Sequence, residues 1–360
     1  MNAAISPQRI LVGDGDGTIW VGAGLVARAR DHLVSPSGRY LLVTSSAAQP
    51  CAEGIRASLG EPTLLDLEIA DGEPSKTLAA VATIAEAALA AGLRRDDAFI
   101  AVGGGVVTDV VGFAAAILLR GIAWNAVPTT TAGMADAAIG GKTAVNHPRG
   151  KNLLGAFHPP RAILIDPLCL ATLPDRDYRA GLVEAFKAAW IADGPLARRA
   201  AAALPAILSR DAPELLELLA GSVRVKAGLV TADPLDAGPR RLLNFGHTLG
   251  HALEVAGGYG ALRHGEAVAW GIAAALEISR RRAGLSETDA AAVREILSGL
   301  GPFPEPERSA ARLSPLLERD KKATARGTAG VLLEAIGRAR VEASVSSQEW
   351  LEAAAIITLS

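Results

Sequence analysis

Three residues in the second half of the chain have side chains suited to a transition metal: Glu184 in GLVEAFK, His247 in NFGHTLGH and His264 in RHGEAVAWG. One carboxylate and two imidazoles, with a coordination position left open, is a common catalytic zinc set. Of six histidines in the chain, five fall between His147 and His264. A lone histidine is more often a satisfied polar group than a ligand, so sequence spacing leaves the convergence of the three open. His247 and His251 are four apart and on a helix would share one face. Their flanks lack the glutamate of the H-E-x-x-H pattern, and His251 reads as a separate substrate or proton-transfer group.

A second chemistry sits in GGGVVTD, Gly103 to Asp109, between a strand-like AFIAV and a helical VVGFAAAILLR. Three glycines let backbone approach a phosphate, and the helix N-terminus offers unpaired N–H groups and positive dipole. The same glycines also suit a tight strand-to-helix turn, and their spacing is not G-x-G-x-x-G. A third candidate is the run from Val127 to Pro160, rich in Gly, Thr, Asn and Lys, which reads as a long loop. There Lys142, Lys151 and Asn152 are donors suited to an anionic ligand, and Asp136 is an acceptor suited to a hydroxyl. Loops of such length in a compact domain are usually functional.

The elements that must position these groups change character along the chain. Between Arg39 and Asp166, short runs such as YLLVTSS, AFIAVGGG, AWNAVPTT and AILIDP alternate with Ala/Leu-rich stretches such as TLAAVATIAEAALAAG, the pattern of βαβ units and a parallel sheet. After Leu173, apolar residues recur at three- and four-residue spacings, and strand-like runs vanish until VLLEAIG near Val331. Pro167 and Pro174 bracket the change. A chain of 360 residues suits two domains, and we expect an α/β N-terminal domain over residues 1–170 and a mainly α-helical C-terminal domain over 171–360.

Lys and Arg total 36 against 38 Asp and Glu, so no global field favours nucleic acid or an anionic membrane. The apolar window from Ile100 to Leu119 carries Asp109 and four glycines and reads as strand, turn and buried helix, not as a membrane span. Two cysteines, Cys51 and Cys169, are expected to be buried, reduced and inert. The N-terminal residues lack the pattern of a signal peptide, so a cytoplasmic location is expected.

Together the strings DGEPSK, GGGVVTD, LLRG, VPTT, GGKTAVN, GKNLLGAFHPP, GLVEAFK, RLLNFGHTLGH, RHGEAVAWG and DKK, from about Asp71 to Val341, resemble the 3-dehydroquinate synthase family of sugar phosphate cyclases in content and order. The resemblance implies a Rossmann-like N-terminal domain, a helical C-terminal domain, and zinc or cobalt on Glu184, His247 and His264. It places NAD over Gly103, Gly104, Gly105 and Asp109, with Glu73, Lys76, Thr129 and Thr130 contributing. It makes Asp136, Lys142, Lys187, Asn244 and His251 catalytic, and Lys151, Asn152, Lys226 and Arg240 substrate-binding. Arg120, from a second subunit of a homodimer, and Lys321 and Lys322 match basic positions near a substrate phosphate. Departures are Ser45 in place of a usual acidic residue, Ala144 for glycine, and Ala188 for an aromatic.

In that family NAD removes and returns a hydride while phosphate leaves 3-deoxy-D-arabino-heptulosonate 7-phosphate, so the net reaction is not redox. The resemblance thus implies 3-dehydroquinate formation in the shikimate pathway of aromatic amino acid biosynthesis. Three alternatives differ from it. Another cyclase, making an aminodehydroquinate, valiolone or inosose, would change the substrate pocket. A polyol dehydrogenase would accumulate NADH. A non-catalytic interaction protein would not need the charged set, and Lys226 and Arg240 favour a keto acid.

Overall fold

The computed structural model of the chain describes residues 7–13, 17–60, 63–258, 260–323 and 330–359, the side chains of 319–323 excepted. It divides into two compact units, Met1–Tyr178 with Val230–Leu235, and Arg179–Leu229 with Asp236–Ser360.

The first unit is built on a seven-stranded sheet. Its strands are β1 (Gln8–Val12), β2 (Gly17–Val21), β3 (Tyr40–Ser45), β4 (Leu65–Ile69), β5 (Ala98–Gly103), β6 (Ala123–Pro128) and, after a separate hairpin of β7 (Lys142–His147) and β8 (Gly150–Phe157), β9 (Ala162–Ile165). The order across the sheet is β1-β2-β9-β6-β5-β3-β4. Only β1 pairs antiparallel, with β2; the other neighbours run parallel. Parallel strands covered on both faces read as continuous apolar runs, and all six residues of β5 are accordingly buried. Helices α1 (Gln49–Leu59), α2 (Leu78–Ala90) and α3 (Gly105–Ile117) connect the strands. One core layer packs Ala52, Ile55 and Leu59 of α1 against Leu42, Ile100, Val102, Val127 and Leu164.

Strand order reverses beside β5, since β3 leads to β4 on one side and β5 leads to β6 on the other. Ligands of open α/β sheets bind outside the carboxyl ends of the strands at such a switch point. Ser45 ends β3 and Gly103 ends β5. The stretch read as a loop from Val127 to Pro160 is largely ordered instead: a π-helical turn at Gly133–Ala137 precedes the β7–β8 hairpin. Its glycines and polar residues masked the alternation, yet the hairpin buries Thr143 and Val145 of β7.

The second unit is mainly helical: α4 (Asp175–Ala192), α5 (Gly194–Ala202), α6 (Leu204–Leu208), α7 (Ala212–Ala232), α8 (His247–Ala256), α9 (His264–Arg282), α10 (Glu287–Leu300), α11 (Ala310–Ala323) and α12 (Ser347–Ile356), with a hairpin of β10 (Gly330–Ala335) and β11 (Arg338–Glu342). Apolar on all sides, α9 is buried almost continuously from Gly265 to Ser279. Among the described residues no helix is long and apolar enough to cross a membrane.

Candidate active site

In the first unit the glycine turn closes on the next strand end. The Thr129 N–H donates to the Gly103 carbonyl at 2.9 Å, and the Gly133 N–H donates to Thr130 Oγ1 at 3.0 Å. A Cβ on Gly104, the residue capping α3, would stand 3.0 Å from Thr130 Cγ2, and one on Gly105 would stand 3.2 Å from Ala137 Cβ. A side chain here would crowd both neighbours, so bare backbone lines the turn at the N-terminus of α3, as a pyrophosphate cradle requires. The same contact sets the π-helical turn that carries Asp136 against the glycine turn.

Beside this turn lies a polar cluster. Buried Lys76 places Nζ 2.5 Å from Asp109 Oδ2 and donates to Asn152 Oδ1 at 2.5 Å. Glu73 Oε1 accepts from Asn146 at 2.6 Å, and the Asn152 N–H donates to Asn146 Oδ1 at 3.0 Å. The hairpin is thereby tied to the start of α3 and to the DGEPSK segment. At the end of β3, Ser45 is buried. Asp71 Oδ2 accepts from Ser46 Oγ at 2.6 Å and from the Ala47 N–H, so an acid from the neighbouring segment stands beside Ser45. Burial opposes ionisation of Asp71, but hydrogen bonds from Ser45, Ser46 and Ala47 hold its pKa below the usual value.

Lys142 is exposed at the start of β7 and Lys151 half-buried on β8. Arg120 is exposed just past the far end of α3; thirteen helical residues set it on the order of 20 Å from the glycine turn. It follows Leu119, and the two adopt φ of 69° and 50°, a left-handed conformation that costs non-glycine residues about 1–2 kcal/mol each. Cys169 is buried but Cys51 only partly so, correcting the expectation for Cys51; both are free. The Cys51 thiol beside it and burial push the Cys169 pKa up, which keeps that thiol protonated.

In the second unit the separated metal-ligand types converge. Glu184 on α4, His247 at the start of α8 and His264 at the start of α9 offer ligand atoms within 4.8 Å of one another. His264 Nε2 is 3.6 Å from Glu184 Oε1, and the His247 and His264 ring centroids are 5.1 Å apart. Glu184 is 2% exposed. Its counter-charge is Lys187, one turn along α4, whose Nζ lies 2.5 Å from Oε2. A buried carboxylate of this kind, facing two imidazoles, suits a divalent cation.

Burial first, then the charge of Lys187 and the adjoining His264 and His251, hold the His247 pKa well below the ordinary histidine value, with the Phe245 carbonyl opposing. His247 is therefore a neutral imidazole, the form that ligates metal. At His264 burial also opposes protonation, but the hydrogen bond to Glu254 and the charges of Glu184 and Glu254 outweigh it and raise the pKa. His251 packs edge-on to His247 with centroids 5.1 Å apart.

The remaining residues expected here lie on other elements of the second unit. Arg240 and Asn244 lie on the 3-10 turn Pro239–Asn244 that leads into α8. Arg240 is buried, as is Lys226 on α7, while Asn244 is exposed. The side chains of Lys321 and Lys322 lie outside the described residues. Two acids escaped the spacing argument: Glu254, whose Oε2 is 3.3 Å from His264 Nδ1, and Glu266, which accepts from the Arg263 N–H at 2.7 Å and caps α9. For Glu254 a signal existed, since His247, His251 and Glu254 follow an i, i+4, i+7 stripe.

A family model of the 3-dehydroquinate synthase N-terminal domain matches residues 66–180, and that of the C-terminal domain matches 181–323. The chain belongs to the 3-dehydroquinate synthase family. A 3-dehydroquinate synthase of Synechococcus sp. (strain CC9605) is 41% identical over 354 residues, 96% of this chain and 94% of its own. Among solved structures, 2-epi-5-epi-valiolone synthase from Streptomyces hygroscopicus subsp. jinggangensis 5008, with NAD+ and Zn2+ bound, has a TM-score of 0.85 at 28% identity and covers 98% of each chain. A 2-deoxy-scyllo-inosose synthase complexed with carbaglucose-6-phosphate, NAD+ and Co2+ has a TM-score of 0.82 at 26% identity, over 97% of this chain and 99% of that one. The α/β sheet unit and the helical unit are thus the dehydroquinate synthase-like fold, and the chain is a cyclase enzyme of the 3-dehydroquinate synthase type.

Proposed function

We propose that the chain is a carbon–oxygen lyase, converting 3-deoxy-D-arabino-heptulosonate 7-phosphate to 3-dehydroquinate and phosphate with catalytic NAD and one zinc or cobalt ion. The observation that carries this reading is the convergence of His247 and His264 on the buried carboxylate of Glu184, with ligand atoms of all three within 4.8 Å of one another. When bound, NAD would supply a reversible hydride acceptor. Glu184, His247 and His264 would hold the metal, which would supply Lewis-acid polarisation of a substrate hydroxyl.

The chain's own residues do the rest. The glycine turn at Gly103, Gly104 and Gly105 cradles the cofactor phosphates through N–H groups. Lys76 and Asp109 fix the adjoining wall, with Glu73, Thr129 and Thr130 completing the cofactor site. Lys226 and Arg240, both buried cations, hold the substrate carboxylate, which favours a keto acid over a neutral sugar phosphate. Lys142, Lys151 and Asn152 orient the substrate, and Asp136, Lys187, Asn244 and His251 hold or move its hydroxyl protons. Lys321 and Lys322, with Arg120 of a second subunit, hold the phosphate. The enzyme acts as a homodimer on a small molecule in the cytoplasm, where its two free thiols are compatible with the reducing conditions.

A time course with limiting NAD and excess heptulosonate phosphate tests the reading, recording phosphate and NADH together. Many turnovers per NAD, with phosphate matching substrate consumed and no NADH accumulating, are expected. One NADH per substrate with no phosphate released would replace the cyclase by a dehydrogenase. Chelation is expected to abolish turnover, and zinc or cobalt to restore it.

A further inference from the structure

We propose that Glu254 is a positioning residue, which holds the His264 imidazole by Nδ1 so that Nε2 faces Glu184 and the metal. The inference rests on the metal-site reading above and deepens it. Glu254 Oε2 lies 3.3 Å from His264 Nδ1, while the opposite ring nitrogen, Nε2, lies 3.6 Å from Glu184 Oε1. The imidazole is thus spanned by two buried carboxylates on opposite sides. A neutral imidazole has one N–H and one lone pair. Donation from Nδ1 to Glu254 leaves the lone pair on Nε2, directed at Glu184, and a carboxylate behind an imidazole strengthens it as a ligand.

Local architecture leaves Glu254 this task. It shares a face of α8 with His247 and His251, and its side chain is 9% exposed. Glu266, the other buried acid close to His264 in the chain, is engaged with the Arg263 N–H and fixes the backbone of the helix start. Glu266 therefore places the Cα of His264, and Glu254 sets the orientation of its ring. His251, Glu254 and His264 also offer ligand atoms within 4.8 Å of one another, so a second ion on Glu254 is the competing outcome.

The test compares wild type with Glu254→Gln and Glu254→Ala. Zinc affinity is measured by competition with a chromophoric chelator, Co2+ loading by visible absorption, and NAD affinity on the metal-free protein. Glu254→Ala is expected to bind zinc about 10–100-fold more weakly, with a shifted Co2+ band and unchanged NAD affinity. Glu254→Gln keeps an acceptor but loses the charge, and is expected to fall between; being isosteric, it carries the test if the alanine variant does not fold. Wild-type zinc affinity and Co2+ spectrum in both variants would overturn the inference. So would two ions per wild-type chain with only the weaker one lost in Glu254→Ala. A wild-type chain that binds no zinc, or His264→Ala binding as well as wild type, would instead remove the metal-site reading and this inference with it.

Discussion

His32 has both ring nitrogens buried without a hydrogen-bond partner and stacks on Trp20 with centroids 4.4 Å apart. Burial, with help from Arg28 and against Asp31, lowers its pKa from 6.5. The folded chain then keeps His32 neutral at a pH where the unfolded chain protonates it, so this stability is present above the unfolded pKa and is lost as pH falls toward the folded one. His32→Phe is expected to reduce the loss of denaturant stability between about pH 7 and 5.5; identical pH slopes in the two proteins would refute it. Lys76 makes a second case. Lys76→Met removes the ammonium that bonds Asp109 and Asn152, and should cost about 3 kcal/mol, the lower end for breaking a buried pair because Asp109 keeps some solvent. Denaturant midpoints and NAD titration check this, with weaker NAD binding expected. The metal-ligand types were legible in the sequence because histidine is scarce and the three strings are distinctive. The Lys76–Asp109–Asn152 cluster was not, since nothing in three distant strings says that their side chains meet. Glu254 was passed over because, although it continues the His247–His251 stripe, a glutamate among alanines and leucines on a helix reads as a solvated face.

Helices α4, α8 and α9 meet through glycine. A Cβ on Gly265 would lie 1.8 Å from the Ala180 carbonyl oxygen, and one on Gly271 would lie 1.9 Å from that of Gly246. Neither obstacle is a flexible side chain, so the backbones themselves would have to part. Gly265 follows His264 directly, and its contact sets the distance from α9 to the helix bearing Glu184. Gly265→Ala is expected to destabilise by about 1–3 kcal/mol and to weaken zinc binding more than NAD binding; equal zinc affinity would show that the ligands tolerate the displacement. At this scale the βαβ alternation was readable, because β3, β5, β6 and β9 are apolar runs set apart by helical stretches. The hairpin of β7 and β8 was not, because Gly, Asn and Lys are typical of loops. The antiparallel β1–β2 pair also escaped, its strands being only five residues each.

For the whole molecule, the exposed Arg120, at the end of α3 remote from its own glycine turn, suits a dimer in which each subunit lends an arginine to the other. Mixing Arg120→Ala subunits with His264→Ala subunits is then expected to recover activity that neither variant has alone, because the mixed dimer holds one intact site. Absence of recovery in verified mixed dimers would place Arg120 outside the phosphate site. The chain also leaves the first unit after Tyr178, returns to it at Val230 and leaves again after Leu235. The returning segment is bonded in: the Gly13 N–H donates to Thr231 Oγ1 at 2.9 Å. During synthesis, then, all seven strands of the sheet have been made by Ile165, but the first unit still lacks its returning segment. That segment is made roughly 3–14 s later at ordinary translation rates, and a nascent chain cut at Tyr178 would lack the bond from Gly13 to Thr231 when it meets chaperones and proteases.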